Sequence, residues 1–354
     1  MCPAPHRGGR PTRGARPVPV SARDVARVAG VSVSTVSRAL TRPDDVAPET
    51  RTRVLDVARG LGYLPNPAAR SLITGRTGNI GLVVPDLENP FFASITKGFH
   101  ARARSFGYAA FIADSDEDPA AEPELVRNLA KQVDGLVLCS PRGPEEVIAG
   151  MARDCPLVLV NRTCGDVATV TVDDHDGVRQ AMVYLQALGH RRIAFAGGPR
   201  ASWSNARRLS AFRSVGAQHP DTELVELGFF SPHVSGGTAA ADLLIASGAT
   251  AALAYNDLVA FGLLEGLRRR GVVVPRDMSL VGIDDIPMSG LAHPGLTSVG
   301  TPLVNVGRAA VDTLVAMVRD PTAPALHQDD LPVQLVVRGS TAPRRTAPAH
   351  AGPG

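Results

Sequence analysis

The 354-residue chain is most informative in what it has little of. Its four cysteines, Cys2, Cys139, Cys155 and Cys164, include no C-x2-C pair, so neither a zinc site nor a disulfide framework is indicated. It has two lysines, Lys97 and Lys131, and neither follows a GxxxxG run, so there is no P-loop. A G-x-S-x-G elbow and an H-E-x-x-H pair are also missing. The nine histidines are scattered, although His175 and His233 fall near loops that matter below. These gaps argue against an enzyme, and no metal or cofactor is expected. No apolar run approaches the ~18 residues that cross a membrane. The first twenty residues hold Arg7, Arg10, Arg13 and Arg16 among Pro and Gly with no apolar segment, so a secretory signal is not expected and the chain should stay in the cytoplasm.

What is present is divided unevenly. The net charge of +3 conceals a basic head and a mildly acidic body. Residues 1–76 hold 13 Arg, no Lys and 5 acidic residues, a balance of +8, which leaves −5 for the remainder. Such a split suits a polyanion-binding head attached to a separate partner domain, although a basic tail gives the same sign.

Residues 1–19 are rich in Pro, Gly and Arg and read as disordered. Order should start at Ser21, an N-cap with Asp24 three residues later. Val25, Val28 and Ala29 then share one face of a first helix, and Gly30 breaks it. Ser32 caps a second helix with Val36, Ala39 and Leu40 inward and Val33, Ser34, Ser37 and Arg38 outward, ended by Pro43. A third starts near Pro48-Glu49 and carries Val54, Val57, Ala58 and Leu61 at helical spacing. Two helices across a short Gly-containing turn, closed by a third, form a helix-turn-helix unit, whose second helix would enter the major groove. An ordinary three-helix bundle with a polar outer face has the same periodicity.

From residue 79 the texture changes to short apolar runs alternating with helical stretches. The runs are Ile80–Val84, Ala109–Ala113, Leu136–Cys139, Leu157–Val160, Ile193–Ala196, Ala251–Tyr255 and Leu280–Ile283. Buried parallel strands read this way, and the alternation predicts a doubly wound α/β body long enough for two lobes. Ligands of such sheets bind beyond the carboxyl ends of the strands. The loops there hold Phe91-Phe92, Cys139-Ser140, Asp173-Asp174, Trp203, Ser204, Arg208, Phe230, Asn256-Asp257 and Asp284-Asp285. Aromatic faces, one arginine and several carboxylates or amides suit a polyhydroxylated ligand. Each residue also has a plainer use, as core, cap or turn.

Residues 22–72, "ARDVARVAGVSVSTVSRALTRPDDVAPETRTRVLDVARGLGYLPNPAARSL", closely resemble the head of the lac repressor/galactose repressor family. "GLVVPDLENPFF", "DGLVL", "ALGHRRIAFAGGP", "AYNDLVAFGLL" and "MSLVGIDDIP" extend the resemblance over about residues 79–340. It implies a transcriptional regulator, as a repressor, with a periplasmic-binding-protein-like body of two lobes. It places Val33 and Ser34 at base-reading positions, Arg38 at an operator-reading arginine, and Ser32, Thr35 and Ser37 on phosphates. Asn66, Ala69 and Leu72 would belong to a hinge helix, with Leu72 wedged into the minor groove. Thr41 departs from the family's usual Asn, and Asn161 stands where an aspartate is common. Effector contacts carry over to Phe91, Phe92, Ser140, Asp173, Ser204, Arg208, Phe230, Asn256 and Asp284.

The expected organisation is a tail at 1–19, a DNA-binding domain at 20–65, a hinge and linker at 66–77, an effector-binding and dimerisation body at 78–340 and a disordered tail at 341–354. Lobe 1 takes about 78–172 and 302–330; lobe 2 takes about 173–301 and 331–340. The expected partners are a near-palindromic double-stranded DNA operator, a carbohydrate effector and a second copy of the chain. No membrane is involved. The tail after Ser340 lacks a heptad seam, which favours a dimer over a tetramer. A sugar-binding carrier shares the two-lobed body, but not the head or the cytoplasmic location.

Overall fold

The computed structural model describes residues 20–63, 75–322 and 324–344. The chain forms two compact units, residues 1–77 and 78–354. None of the described helices is long and apolar enough to cross a membrane.

In the first unit, helices α1 (Ala22–Ala29), α2 (Val33–Thr41) and α3 (Pro48–Gly60) surround Val25, Ala26, Ala29, Val36, Ala39, Val54 and Ala58. The backbone N–H and hydroxyl of Ser21 both donate to the Asp24 carboxylate, at 3.1 and 2.7 Å. The Ser21 bonds hold the Asp24 pKa below its ordinary value. Gly30, at φ 66°, supplies the left-handed turn that ends α1, and the Ser32 hydroxyl accepts from the Thr35 N–H to start α2. Two expectations are corrected: Leu61, read on the inner face of the third helix, is 36% exposed just past its end at Gly60, and Val28 is 54% exposed with Ala26 buried in its place. At about 100° per residue, Val25, Ala26 and Ala29 centre the buried arc between Val25 and Ala26, which leaves Val28 on its flank.

The second unit has two lobes, each a six-stranded sheet. The first sheet runs β11-β5-β4-β3-β1-β2, built from β1 (Asn79–Val84), β2 (Ala109–Asp114), β3 (Leu136–Cys139), β4 (Leu157–Val160), β5 (Ala168–Val172) and β11 (His327–Leu331). All its pairings are parallel. Helices α4 (Pro90–Ser105) and α11 (Leu303–Arg319) cover one face, and α5 (Glu122–Ala130) and α6 (Glu145–Asp154) cover the other. The second sheet runs β12-β10-β9-β8-β6-β7: β6 (Arg192–Gly197), β7 (Glu223–Phe229), β8 (Ala251–Ala254), β9 (Ser279–Asp284), β10 (Thr297–Gly300) and β12 (Gln334–Val336). Here α9 (Val234–Ala246) and α10 (Asp257–Arg269) pack on one side, and α7 (Asp174–Ala187) and α8 (Trp203–Ala217) on the other. Only β12 runs antiparallel, against β10. The chain crosses between lobes after β5, after β10 and between β11 and β12.

The segment after Ser340 also differs from expectation. Residues 341–344 are bonded to lobe 2: the Ala342 N–H donates to Ser279 Oγ at 3.1 Å and the Arg344 N–H to the Leu188 carbonyl at 2.8 Å. Residues 1–19 and 345–354, read from the sequence as tails, lie outside the described residues.

Each lobe contains one helix pair in backbone contact. A Cβ on Gly98 of α4 would lie 2.1 Å from the Val304 carbonyl oxygen, and one on Gly307 of α11 would lie 2.2 Å from that of Ile95. Gly237 of α9 and Gly262 of α10 repeat the arrangement in lobe 2, each 2.0 Å from a facing carbonyl oxygen. No side chain fits there. Gly307→Ala gains roughly 1 kcal/mol of helix propensity but forces two packed backbones apart, which costs on the order of 1–3 kcal/mol or more. The expected result is net destabilisation in chemical denaturation; a midpoint equal to or above wild type would mean that the helices part freely.

The carboxyl end of the second sheet is clamped by Asp257, which is fully buried at the start of α10. It accepts from the Ile286 N–H at 2.9 Å and from the Ser289 and Ser298 hydroxyls, both at 2.6 Å. Gly282 is the β9 residue beside it, where a Cβ would meet its carboxylate at 2.1 Å. Burial outweighs these donors and pushes the Asp257 pKa up to about 6 from an ordinary 3.8. A raised acid pKa means the fold prefers the proton, so this contribution to stability is present below about pH 4 and is lost as pH rises through 6. Asp257→Asn retains acceptor and donor positions without the charge. Relative to wild type, it should gain about 3 kcal/mol between pH 4 and pH 7, read as the difference between two denaturation series. A constant difference across that window would refute the assignment.

Candidate functional site

Two surfaces carry the candidate chemistry, one in each unit. On the head it is the outer face of α2. Val33 is 44% exposed, Ser34 and Arg38 are exposed, and Ser37 is half-buried. The Ser32 hydroxyl lies 2.7 Å from that of Ser34 and 2.8 Å from that of Thr35, a small polar cluster at the helix N-terminus. Arg38 contacts only the Ser34 carbonyl, at 3.4 Å, and no carboxylate pairs with it among the described residues. A helix N-terminus with three hydroxyls and an uncommitted guanidinium one turn later suits phosphates and base edges. Asn66, Ala69 and Leu72 lie outside the described residues.

In the body, both sheets present their carboxyl ends to one cleft enclosing about 330 Å3 of unfilled space, part of it open to solvent. Lobe 1 contributes Asn89, Phe91, Phe92, Glu117, Ser140, Arg142 and Asn161; lobe 2 contributes Ser204, Arg208, Pro232, Tyr255, Asn256 and Asp284. Local structure explains how they converge. Asn89 caps α4 by accepting from the Phe91 N–H, which sets Phe91 and Phe92 edge to face, 5.0 Å apart, at the cleft wall. Ser140, Asn161 and Asp284 each end a strand in a left-handed conformation, at φ 46°, 53° and 115°. Non-glycine residues at such angles hold strain of order 1–3 kcal/mol and gather at ligand sites.

Arg208, at 3% exposure, is the centre of the lobe 2 wall. Its Nε donates to Asp174 at 2.8 Å and its Nη1 to the Tyr255 carbonyl at 2.6 Å, while Nη2 lies 3.7 Å from Asp284. Its guanidinium also sits over the Tyr255 ring, at 5.1 Å. Burial opposes the charge, but Asp174, Asp284 and Tyr255 raise the pKa, so Arg208 is always cationic. Asp284 is itself pushed well above the carboxylate range, by burial first and then by Asp257 and Asp174, with Arg208 opposing. Arg142 holds the lobe 1 wall through two bonds to Glu117, both 2.9 Å. Its backbone N–H donates to Glu122, whose pKa burial raises. The Tyr255 hydroxyl bonds Ser202 at 3.0 Å.

Of the buried acceptors without a hydrogen-bond donor among the described residues, two line the cleft: Asn161 Oδ1 on lobe 1 and Asp284 Oδ1 on lobe 2. At the rim, Arg207 pairs with Asp330 at 3.0 Å and His233 lies 3.6 Å from Asp86, both pairs linking the lobes. His175 sits instead beside Ser214, at 3.4 Å.

Of the nine sequence-derived effector residues, the structure brings seven to the cleft. Asp173 and Phe230 do not line it. Asp173 caps α7 by accepting from the Asp176 N–H at 2.8 Å, and the next residue, Asp174, turns inward to Arg208. Phe230 packs against the apolar core beneath α9. Sequence reading missed Asn89, Glu117, Arg142, Pro232 and Tyr255, and recorded Asn161 only as a departure. Glu117, Arg142 and Tyr255 follow the carboxyl ends of β2, β3 and β8, so a systematic reading of those loops would have found them.

No group of three or more His, Cys, Asp or Glu among the described residues is placed to hold a metal. The cleft is built to bind, with paired charges, aromatic faces and waiting acceptors. Residues 21–66 match the model of bacterial regulatory proteins of the lacI family, and residues 183–341 match that of the periplasmic binding protein-like domain. The transcriptional repressor CytR of Escherichia coli (strain K12) is 32% identical over 328 residues, covering 90% of this chain and 95% of CytR. A lac repressor dimer bound to operator and the anti-inducer ONPF superposes with a TM-score of 0.79 at 27% identity, covering 92% of this chain and 100% of that one. The transcriptional regulator CelR in complex with cellobiose gives 0.68 at 30% identity, with the same coverage.

Proposed function

The chain belongs to the lacI family of bacterial regulatory proteins and is a DNA-binding transcriptional regulator; from that premise we propose that it is a repressor whose hold on a near-palindromic operator is set by a small polyhydroxylated effector bound between its two lobes. The observation that carries the effector reading is the pair of donor-less acceptors, Asn161 Oδ1 and Asp284 Oδ1, lining one cleft from opposite lobes. Buried acceptors left unsatisfied cost roughly 1–3 kcal/mol each. A molecule offering hydroxyls to both removes that cost only when the lobes are closed upon it. The sugar-bound CelR neighbour supports the same class of ligand.

On this reading residues 20–65 read DNA through α2, residues 66–77 form a hinge and the body from 78 to 340 binds effector and dimerises. Two copies set two heads on successive half-sites; the neighbouring lac repressor is likewise a dimer bound to operator. Effector-driven closure of each body alters the spacing of the two hinges, and so operator affinity, through ~1–3 kcal/mol of coupling.

Four measurements test this. The wild type should retard a palindromic duplex at moderate salt, and a thermal-shift screen of sugars, sugar phosphates, nucleosides and purines should contain a stabilising ligand. Arg208→Ala should abolish the response to that ligand while retaining operator binding; a normal response would move the effector site elsewhere. Leu72→Ala should weaken operator binding by a few kcal/mol, the scale of the unstacking a minor-groove wedge supports, and leave effector affinity intact. Unchanged DNA affinity would remove the wedge.

A further inference from the structure

Arg142 and Glu117 have no part in the function as derived so far, yet both line the cleft. The Arg142 side chain is 4% exposed, and its Nε and Nη2 each donate to one Glu117 oxygen. A two-pronged pair of this kind occupies the face a guanidinium would otherwise offer to a phosphate or carboxylate. The other cation, Arg208, is likewise committed to Asp174 and the Tyr255 carbonyl, with Asp284 beyond.

Most of the other sources of positive potential nearby are also occupied. Three of the helices that begin at the cleft cap themselves with a side chain, Asn89 on Phe91, Ser202 on Asn205 and Asn256 on Val259, whereas α9, which starts two residues after the lining Pro232, has no such cap. Among the described residues Arg162 bonds the Gly143 carbonyl through Nη2, its Nε is buried without a partner, and it does not line the cleft. Two cations thus face two bonded anions, with the Asp284 carboxyl in addition. Among the cleft-lining groups, the buried atoms left without a hydrogen-bond partner among the described residues are both oxygens, Asn161 Oδ1 and Asp284 Oδ1.

We propose that the Arg142–Glu117 pair makes this cleft selective for an uncharged, hydroxyl-bearing effector, with Glu117 acting as the built-in counter-ion that excludes phosphorylated and carboxylated molecules. The proposal rests on reading the cleft as the effector site. It singles out Glu117 as a specificity-determining residue: without its charge, Arg142 becomes a buried cation in need of an anion.

The probe is inorganic phosphate, followed by isothermal titration and thermal shift on the full-length protein, with cooperative melting as the folding check. Wild type should ignore phosphate, Glu117→Gln should bind it on the order of tenfold more tightly or better, and the Glu117→Gln/Arg142→Gln double variant should lose that gain. Glucose against glucose 6-phosphate, and ribose against ribose 5-phosphate, should show the neutral member bound at least as tightly by wild type. Phosphate binding by wild type that disappears in Arg142→Gln overturns the proposal. So does a folded Glu117→Gln with no gain, or a gain that survives in the double variant. If Glu117→Gln does not fold, the wild-type and Arg142→Gln arms decide alone: indifference of both to phosphate supports the proposal, and a response of wild type only overturns it. A neutral sugar that stabilises wild type and Arg208→Ala equally would instead remove the effector-site reading, whatever phosphate does.

Discussion

The body is organised around one buried cation. Arg208 projects from α8 into the cleft wall, where it is almost fully buried, and its charge can persist there only if acceptors from several elements converge on it. Asp174 comes from the first turn of α7, the Tyr255 carbonyl from the end of β8 and Asp284 from the end of β9. The arrangement is not a large source of stability, because a buried ion pair mostly recovers the cost of its own desolvation. What it supplies is definition. Removing any partner leaves an uncompensated charge, so the carboxyl ends of β8 and β9 and the starts of α7 and α8 have a single arrangement in common.

That rigidity contrasts with the contacts between lobes. Ile286 belongs to the apolar cluster of lobe 1, and Leu258 and Phe261 pack against it, so one side of the lobe junction is dry. The lobes are also linked by Arg207–Asp330 and His233–Asp86, each with a partner at least 40% exposed. Exposed pairs of this kind contribute about 0–1 kcal/mol each. Closure is therefore weakly biased by the protein's own contacts. A ligand that satisfies Asn161 and Asp284 together acts with a comparable or larger free energy, the scale on which allosteric coupling operates. Strong order within each lobe and weak preference between them are the conditions a ligand-driven switch requires.

Much of the architecture was legible in the sequence because burial on both faces writes itself as a continuous apolar run. β1, β3, β4, β6, β8 and β9 read directly for that reason. The strands that escaped are those whose surroundings remove the signal. β7 is an edge strand of the second sheet with no buried position, β11 is "HQDDL" at an edge of the first sheet, and β10 is "TSVG", apolar at one position only. β5, "ATVTV", is fully buried, but its threonines interrupt the run; Thr169 and Thr171 bond Asp329 of the neighbouring β11, a partner 158 or more residues away. In the head, capping residues and helical spacing carried the reading; Val28 failed because burial of Ala26 shifts the centre of the buried arc, and Leu61 because α3 ends one residue before it.

The cleft shows where such legibility stops. Asp173 and Asp174 are adjacent and chemically identical, and nothing local says which faces the ligand. Two requirements decide it together. The first N–H groups of α7 need an acceptor, and the residue just before the helix is the one whose carboxylate reaches back to Asp176. The following carboxylate is then carried around the helix toward α8, where Arg208 has no other full counter-ion within bonding distance. The cap is a local rule that a sequence can express, whereas the ion pair depends on two helices having met. The same division holds for Glu117 and Arg142, on loops after different strands: each reads alone as an exposed charge. Only the pairing of β1 with both β2 and β3 sets them side by side, and only then does the cleft acquire a charge character that bears on its choice of ligand.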